Sequence, residues 1–269
     1  MATRVRLDGE LVRRGLAPSR EAASAAIREG RVRVAGAVAS KPSTLVLPAD
    51  PLALAGPARR WASRGGDKLA PVLDRLGVPV AGRRCLDTGA STGGFTHVLL
   101  AAGAAEVVAV DVGYGQLDLS LRRDPRVRVL DRTNVRGLTA EQLGGRVDLT
   151  VADLSFISLR LVVPVLASLT RPDGDLLLLV KPQFEAGRGA VGRGGVVRDP
   201  AARAAAVRGV AEAAAAAGLG VAGVFPSPLP GPAGNLELFL WLRVGAGPLD
   251  EAALRAAVTE GEALPGAAR

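Results

Sequence analysis

Short apolar runs alternate with helix-forming segments between residues 84 and 244. Helical periodicity fits the intervening segments, for example 97–102, 159–169 and 200–217. The apolar runs predict seven strands, at 84–87, 106–111, 126–130, 148–153, 175–181, 221–225 and 237–244. Continuous apolar strands that alternate with helices are typical of a mostly parallel sheet covered by helices on both faces. The predicted fold class of this part is therefore α/β.

The N-terminal part of the chain has a different pattern. Apolar residues recur at helical spacing over 7–12, and Gly15 follows as a stop. Ser19 is expected to cap a second helix that ends at Gly30. The alternating run over 31–39 predicts a short hairpin. Two helices followed by a hairpin indicate a small α+β domain.

Prolines separate the two patterns. Pro48, Pro51 and Pro57 punctuate a stretch with little periodicity, so we expect residues 49–61 to form a linker. This prediction divides the chain into an N-terminal domain at 1–48 and a larger domain at 62–269.

The positive charge of the chain is concentrated near its start. The full sequence holds 34 basic and 26 acidic residues, for a net charge of +8. Residues 1–64 alone hold 12 basic and 5 acidic residues, for a net charge of +7. A compact basic block beside a nearly neutral domain favours a nucleic-acid-binding module. The alternative is a solvated basic surface that has no partner.

The candidate RNA-binding residues are basic side chains in two regions. In the N-terminal domain they are Arg4, Arg6, Arg20, Arg28, Arg31, Arg33 and Lys41. The glycine-rich basic stretch 185–198 adds Arg188 and Arg193. We expect this stretch to be a mobile loop that closes on RNA, and a plain surface loop is the alternative.

Rare residue types exclude several classes of protein. A single cysteine, Cys85, excludes an internal disulfide framework and a multi-cysteine zinc site. A single histidine, His97, leaves no second histidine for a metal centre, and we expect no metal. The N-terminus lacks the apolar core of a signal peptide, and charges split the longest apolar stretch, 161–180. We therefore expect a soluble, cytoplasmic protein that does not bind membranes, and separately we expect it to be a monomer.

A glycine-rich turn follows the first predicted strand of the larger domain. Its sequence over 87–95, DTGASTGGF, lacks the Gly-Lys-Ser/Thr ending of a nucleotide triphosphate loop. Asp87 at its start would repel a pyrophosphate but suits the positive charges of S-adenosylmethionine. The predicted seventh strand also favours a class I methyltransferase sheet over a six-stranded dinucleotide-binding domain.

Aspartates end four of the predicted strands, at the sheet edge where ligands bind in such folds. Asp111 is placed to accept hydrogen bonds from a ribose diol, and Asp131 could reach an adenine amino group. Each aspartate could instead cap the helix that follows it. The candidate cofactor contacts at this edge are Asp87, Ser91, Asp111, Asp131 and Asp153.

Only three of the 34 basic residues are lysines, and two of them fall near this edge. Lys181 follows a predicted strand, and Lys68 begins a predicted helix. We expect both to converge with Asp153 and Glu237, where the two carboxylates would orient Lys181. A lysine held in this way suits a base or charge stabiliser for a ribose hydroxyl. A structural cluster of ion pairs is the alternative.

Two resemblances connect these patterns to known families. Residues 4–50, including LDGELVRRGLAPSREAASAAIREGRVRVAG, resemble the S4-like RNA-binding domain. Over nearly the whole chain, LDTGASTGGFT, VVAVDVGYGQL, DRTNVR, VADLSFISL, LLLVKPQFEAGR and GGVVRD resemble the TlyA family. That family joins an S4-like domain to an FtsJ-like methyltransferase domain and also carries an old haemolysin label.

The TlyA resemblance implies a fold, a reaction and a set of residues. It implies a class I Rossmann-like methyltransferase and S-adenosylmethionine-dependent 2′-O-methylation of cytidine in 16S or 23S ribosomal RNA. Its catalytic set falls on Lys68, Asp153, Lys181 and Glu237. Its cofactor contacts fall on Gly89, Gly93, Phe95, Asp111 and Asp131. The implied partners are ribosomal RNA and ribosomal subunits.

Two other functions remain open at this point. A non-catalytic ribosome-assembly factor would bind RNA without transferring a methyl group, although all four catalytic-type residues are present. A nicotinamide-dependent oxidoreductase would use a similar fold, but Asp87 and the seventh strand argue against it.

Overall fold

A computed structural model of the chain describes residues 3–17, 20–28, 30–55 and 60–267. The predicted cap Ser19 lies outside the described residues, and so do residues 56–59 of the predicted linker and the side chain of Arg188. The chain divides into two compact units, residues 1–60 and residues 61–269.

The N-terminal unit contains the predicted helix pair and hairpin together with three further strands. Its elements are β1 (Val5–Arg6), α1 (Leu7–Arg13), α2 (Arg20–Arg28), β2 (Val32–Val34), β3 (Ala37–Val38), β4 (Leu45–Val46) and β5 (Leu52–Leu54). Strands β2 and β3 form the predicted antiparallel hairpin. Leu7, Leu11 and Ile27 are buried in the core of this unit.

Strand β5 corrects the predicted linker. It pairs antiparallel with β2, so that Leu54 lies opposite Val32 and Leu52 lies opposite Val34. Leu52 and Leu54 also pack against the N-terminal core. The flanking prolines suggested a linker at 49–61, but these two leucines bury apolar surface by extending the small sheet. The predicted boundary at residue 48 therefore falls before the last strand of the unit.

The C-terminal unit is built on the predicted seven-stranded sheet. Its strands are β6 (Arg84–Thr88), β7 (Glu106–Val110), β8 (Val127–Leu130), β9 (Val147–Ala152), β10 (Thr170–Val180), β11 (Gly220–Pro226) and β12 (Leu238–Arg243). They lie in the order β11-β12-β10-β9-β6-β7-β8. Strand β12 runs antiparallel to both of its neighbours, and the other pairs are parallel. This confirms a mostly parallel α/β sheet.

Helices join the strands and cover the sheet. They are α3 (Arg64–Leu76), α4 (Gly94–Ala101), α5 (Leu119–Arg123), α6 (Ala140–Leu143), α7 (Val163–Leu169), α8 (Pro182–Glu185), α9 (Pro200–Ala216) and α10 (Glu251–Glu262). Short 3-10 turns occur at Val135–Gly137, Leu159–Leu161 and Arg188–Ala190. The predicted helix at 159–169 is therefore one such turn followed by α7.

Successive residues of a central strand enter two different cores. In β10, Leu176, Leu178 and Val180 join the core on one face of the sheet. Leu177 and Leu179 join the core on the other face. Both faces are covered, so every position in this part of the strand is apolar.

The same pairing brings polar residues to one edge. Strands β6, β9 and β10 are parallel neighbours, so their carboxyl ends lie together. Strand β12 begins at this edge, with Leu238 opposite Val180. Glu237 therefore precedes the last strand beside Lys181, instead of beginning the strand as predicted.

Candidate active site

Two adjoining cavities lie at the carboxyl edge of the sheet in the C-terminal unit. The larger cavity has a volume of about 420 Å³ and the smaller one about 290 Å³. Their walls share Gly89, Ser91, Asp153 and Ser155. A ligand in the larger cavity would therefore contact the residues that also border the smaller one.

The four predicted catalytic side chains all border the smaller cavity. They form two ion pairs. Lys181 Nζ lies 2.5 Å from Asp153 Oδ1, and Lys68 Nζ lies 2.6 Å from Glu237 Oε2. The prediction that these residues converge therefore agrees with the geometry.

The pairing corrects one predicted role. Glu237 accepts a hydrogen bond from Lys68, whereas it was expected to help orient Lys181. The Lys68 side chain is 5% exposed and that of Glu237 is 1% exposed. Because both charged groups are desolvated, each needs the other as a close partner.

Ser155 is a site residue that the sequence did not single out. Lys181 Nζ donates a hydrogen bond to Ser155 Oγ at 3.0 Å. Lys181 is thus held by Asp153 and Ser155, which both follow strand β9. The only sequence feature that could have indicated Ser155 is its position two residues after Asp153.

Asp111 is oriented in the wall of the larger cavity by backbone donors. Ser91 N donates to Asp111 Oδ2 at 2.8 Å, and Gly113 N donates to Oδ1 at 2.7 Å. Ser91 adopts a positive φ of 48°. A carboxylate oxygen can accept more than one hydrogen bond, so Asp111 retains acceptor capacity for a ligand.

Gly89 is required at the point where the two cavities meet. Its φ is +81°, and an added Cβ would lie 2.5 Å from the carbonyl oxygen of Asp153. Only glycine can adopt this φ while its Cα lies so close to the backbone of Asp153. Gly89, a predicted cofactor contact, forms part of the wall of both cavities.

Three predicted cofactor contacts border neither of the two cavities within the part of the chain that the structure describes. Asp131 is paired with Arg122 at 2.7 Å. Gly93 is the N-cap residue of α4, has a φ of +94° and packs against Leu117 and Leu121. Asp87 is completely buried. These residues shape the turns around the cavity without forming its wall.

Phe95 is a further predicted cofactor contact that lies outside the wall of the larger cavity. It borders the smaller cavity and stacks on Phe239, with ring centroids 6.0 Å apart. The larger cavity is bordered instead by Asn134, Val135 and Ile157, which the sequence did not assign to a cofactor.

The carboxyl group of Asp87 lies beneath the glycine-rich turn. Its Oδ2 accepts a hydrogen bond from Thr96 Oγ1 at 2.6 Å, while its buried Oδ1 has no hydrogen-bond partner among the described residues. Burial, together with the nearby carboxylates of Asp153 and Asp111, raises the pKa of Asp87 to about 7. The charged form of this side chain is therefore costly in the folded protein.

We expect Asp87→Asn to change how stability depends on pH. Between about pH 4 and 7 the folded protein keeps the Asp87 proton and the unfolded chain loses it, so this contribution to stability falls as pH rises. The free energy of unfolding of the wild type, relative to Asp87→Asn, should fall by at most about 1.4 kcal/mol per pH unit in this window and level off above it.

Urea unfolding of both proteins between pH 4.5 and 8 checks this expectation. Asp173→Asn serves as a control, because the Asp173 side chain is 83% exposed. Parallel stability curves for wild type and Asp87→Asn would contradict the buried-proton explanation.

An exposed aromatic residue borders the larger cavity. Phe156 is 92% exposed and has a φ of 64°, which is unusual for a bulky side chain. Its ring lies 5.2 Å from that of Phe184, in the helix after Lys181. Strained conformations of this kind are retained where a structure fixes them, often at functional sites.

Glu185 connects the Phe156 loop to the Lys181 segment. Its Oε2 accepts from Ser158 Oγ at 2.5 Å, and its Oε1 accepts from Leu159 N at 2.6 Å. Glu185 is only 8% exposed. The loop after β9 is therefore held against the segment that carries Lys181.

The predicted RNA-binding residues are mostly at the surface. Arg31 is half-buried, and the exposed residues are Arg4, Arg6, Arg20, Arg28, Arg33, Lys41 and, in the C-terminal unit, Arg193. Asp8 accepts hydrogen bonds from Arg6 and Arg20, and the Arg6 guanidinium holds the pKa of Asp8 at about 2. Part of the basic surface is thus already neutralised.

Comparison with known proteins extends these observations. Residues 61–244 match the model of the FtsJ-like methyltransferase family, and residues 5–52 match that of the S4 domain. The 16S/23S rRNA (cytidine-2′-O)-methyltransferase TlyA of Mycobacterium tuberculosis is 56% identical over 90% of this chain and 91% of its own length.

The chain belongs to the TlyA family. The 23S rRNA (cytidine-2′-O)-methyltransferase TlyA of Campylobacter jejuni is 37% identical over 48% of this chain and 49% of its own length. A solved structure from Streptococcus thermophilus, described as a hemolysin, matches with a TM-score of 0.76 and 35% identity, covering 97% of each chain. Among the described residues of this TlyA-family chain, none of the helices has the length and apolar character to cross a membrane.

Proposed function

We propose that the protein transfers a methyl group from S-adenosylmethionine to the 2′-hydroxyl of cytidine in ribosomal RNA. The observation that carries this proposal is the pair of adjoining cavities, one containing Asp111 and the other containing the Lys181–Asp153 and Lys68–Glu237 pairs. The relative at 56% identity, named as an rRNA (cytidine-2′-O)-methyltransferase, supports the same reaction.

The larger cavity fits S-adenosylmethionine in size and chemistry. Its volume of about 420 Å³ lies within the range of small-molecule sites. Asp111 would accept hydrogen bonds from the ribose diol. Val112, Val135 and Ile157 border the same cavity and would provide an apolar wall for the adenine ring. When bound, the cofactor supplies an electrophilic methyl group.

Lys181 is placed to act on the hydroxyl that receives the methyl group. Asp153 and Ser155 hold its ammonium at the border of the smaller cavity. There Lys181 would either accept the hydroxyl proton as the neutral amine, or stabilise as the ammonium the negative charge that develops on oxygen. The Lys68–Glu237 pair would form the opposite part of the wall and fix the nucleotide.

The N-terminal unit is proposed to hold the RNA. Arginines bind phosphates through paired hydrogen bonds, and structured RNA is recognised largely by shape and backbone contacts. Exposed basic residues such as Arg33 and Lys41 supply this chemistry. The S4 domain match over residues 5–52 supports the assignment.

RNA binding should lose salt dependence when these charges are removed. The double variant Arg33→Gln/Lys41→Gln should lower the slope of log K against log salt by about 0.7–0.9 for each phosphate that is no longer neutralised. Filter binding to ribosomal RNA between 50 and 300 mM KCl would measure this. Arg171→Gln/Arg243→Gln is the matched control, because both arginines are exposed at the amino edge of the sheet. Equal slopes for the two double variants would contradict the assignment.

The substrate range is proposed to include both ribosomal subunits. The more similar relative, at 56% identity over 90% of the chain, is named as a 16S/23S enzyme. The relative named for 23S RNA alone is 37% identical over 48% of the chain. Separate assays with 30S and 50S subunits distinguish the two ranges.

A methyl-transfer assay tests the proposed reaction. Purified protein is incubated with tritiated S-adenosylmethionine and bacterial ribosomal subunits that lack 2′-O-methylcytidine. Tritium in the RNA is the expected result. RNA binding without methyl transfer would instead favour a non-catalytic ribosome-assembly factor.

A further inference from the structure

Ser155 lies where the two cavities meet and contacts the lysine proposed to act in catalysis. Its Oγ accepts a hydrogen bond from Lys181 Nζ at 3.0 Å, and Asp153 Oδ1 lies 2.5 Å from the same nitrogen. Ser155 borders both cavities. It is therefore close to the ligands of both without belonging to the four predicted catalytic side chains.

The two contacts define the direction of the Lys181 ammonium. An ammonium group has three N–H donors. Ser155 accepts one of them and the Asp153 carboxylate faces the nitrogen as its counter-ion, which leaves donor capacity for the smaller cavity that Lys181 borders. Without the Ser155 hydroxyl, the Asp153 carboxylate would restrain Nζ from one side, and more positions would be available to the ammonium.

The backbone that carries Ser155 is itself held in place. Glu185, four residues after Lys181, accepts hydrogen bonds from Ser158 Oγ and Leu159 N. This buried carboxylate connects the loop after β9 to the segment after β10. The Lys181–Ser155 contact therefore joins two segments whose relative position is already fixed.

We propose that Ser155 is a positioning residue that fixes the catalytic direction of Lys181. This proposal rests on the proposed methyltransferase function. Removing the hydroxyl should lower kcat by about tenfold or more, since a hydrogen bond to a charged group is worth that much and tenfold corresponds to about 1.4 kcal/mol. The KM for ribosomal subunits and the Kd for S-adenosylmethionine should each change by less than about threefold.

The test compares three variants with the wild type in steady-state methyl transfer. Ser155→Ala should lower kcat and leave KM nearly unchanged. Ser155→Thr retains the hydroxyl and should restore most of the kcat. Ser158→Ala removes a hydroxyl from the same loop without touching Lys181, and should cost less than about threefold because Leu159 N still donates to Glu185. Calorimetry with S-adenosylmethionine checks cofactor binding in each variant.

Several results would overturn the positioning role. Wild-type kcat in Ser155→Ala would remove it directly. An equal loss of kcat in Ser158→Ala would show that loop position, and not the Ser155 hydroxyl, is responsible. A change confined to KM or to cofactor Kd would assign Ser155 to binding. Failure of the proposed function can be distinguished from failure of the Ser155 proposal, because the wild type itself would then transfer no methyl group.

Discussion

Lys181→Ala is expected to reduce methyl transfer by about 10²- to 10⁴-fold, the usual contribution of a proton-transferring or charge-stabilising side chain. Lys181 is the charged group that Asp153 and Ser155 hold at the border of the smaller cavity. It does not border the larger cavity among the described residues, so S-adenosylmethionine should bind with a Kd within about threefold of the wild-type value. Single-turnover assays and calorimetry measure the two quantities.

Two further variants sharpen this experiment. Arg171→Ala removes an exposed cation at the amino edge of the sheet and should leave single-turnover rates unchanged. Lys181→Arg keeps a permanent positive charge that cannot accept a proton. Partial activity in Lys181→Arg would indicate charge stabilisation, and its absence would favour proton acceptance. Wild-type turnover in Lys181→Ala would contradict the role of Lys181.

Glu237→Leu is expected to destabilise the protein by about 3–5 kcal/mol, because it leaves the buried Lys68 ammonium without its partner. The double variant Lys68→Met/Glu237→Leu replaces both charges by apolar groups. It should recover most of the lost stability while remaining inactive in methyl transfer. Urea unfolding and the tritium assay together separate the structural role of the pair from its functional role.

An exposed ion pair that involves α3, the helix that carries Lys68, provides the control. Arg75 of α3 pairs with Glu260 at 2.8 Å, and their side chains are 52% and 50% exposed. Glu260→Leu should therefore cost less than about 1 kcal/mol. A stable Glu237→Leu variant, or a fully active double variant, would contradict the assignment of this pair.

The sheet was predictable because a strand that is buried on both faces requires a run of consecutive apolar residues. Leu176 to Val180 are all apolar because the two faces of β10 enter separate cores. Parallel pairing then places the ends of such strands at one edge. The convergence of Asp153 and Lys181 follows from this pairing without knowledge of any side-chain conformation.

Details that depend on competing partners were not predictable. Glu237 could have paired with either Lys68 or Lys181. In the structure it pairs with Lys68, and both side chains are buried. Asp131 directly follows strand β8, and its carboxylate is paired with Arg122. Leu52 and Leu54 lie between prolines, and only pairing with β2 identifies them as a strand. The Ser155 contact depends on a loop path that no periodicity describes.

We propose that this site methylates ribosomal cytidine at the 2′-oxygen, with Lys181 as the acting group. Mass-spectrometric mapping of 2′-O-methylcytidine, after incubation of unmethylated 30S and 50S subunits with S-adenosylmethionine, tests this proposal. The wild-type protein should produce a methylated cytidine at a defined position, and Lys181→Ala should produce none above background. Absence of the mark with wild type, a mark on the base instead of the ribose, or an equal mark with Lys181→Ala would contradict the claim.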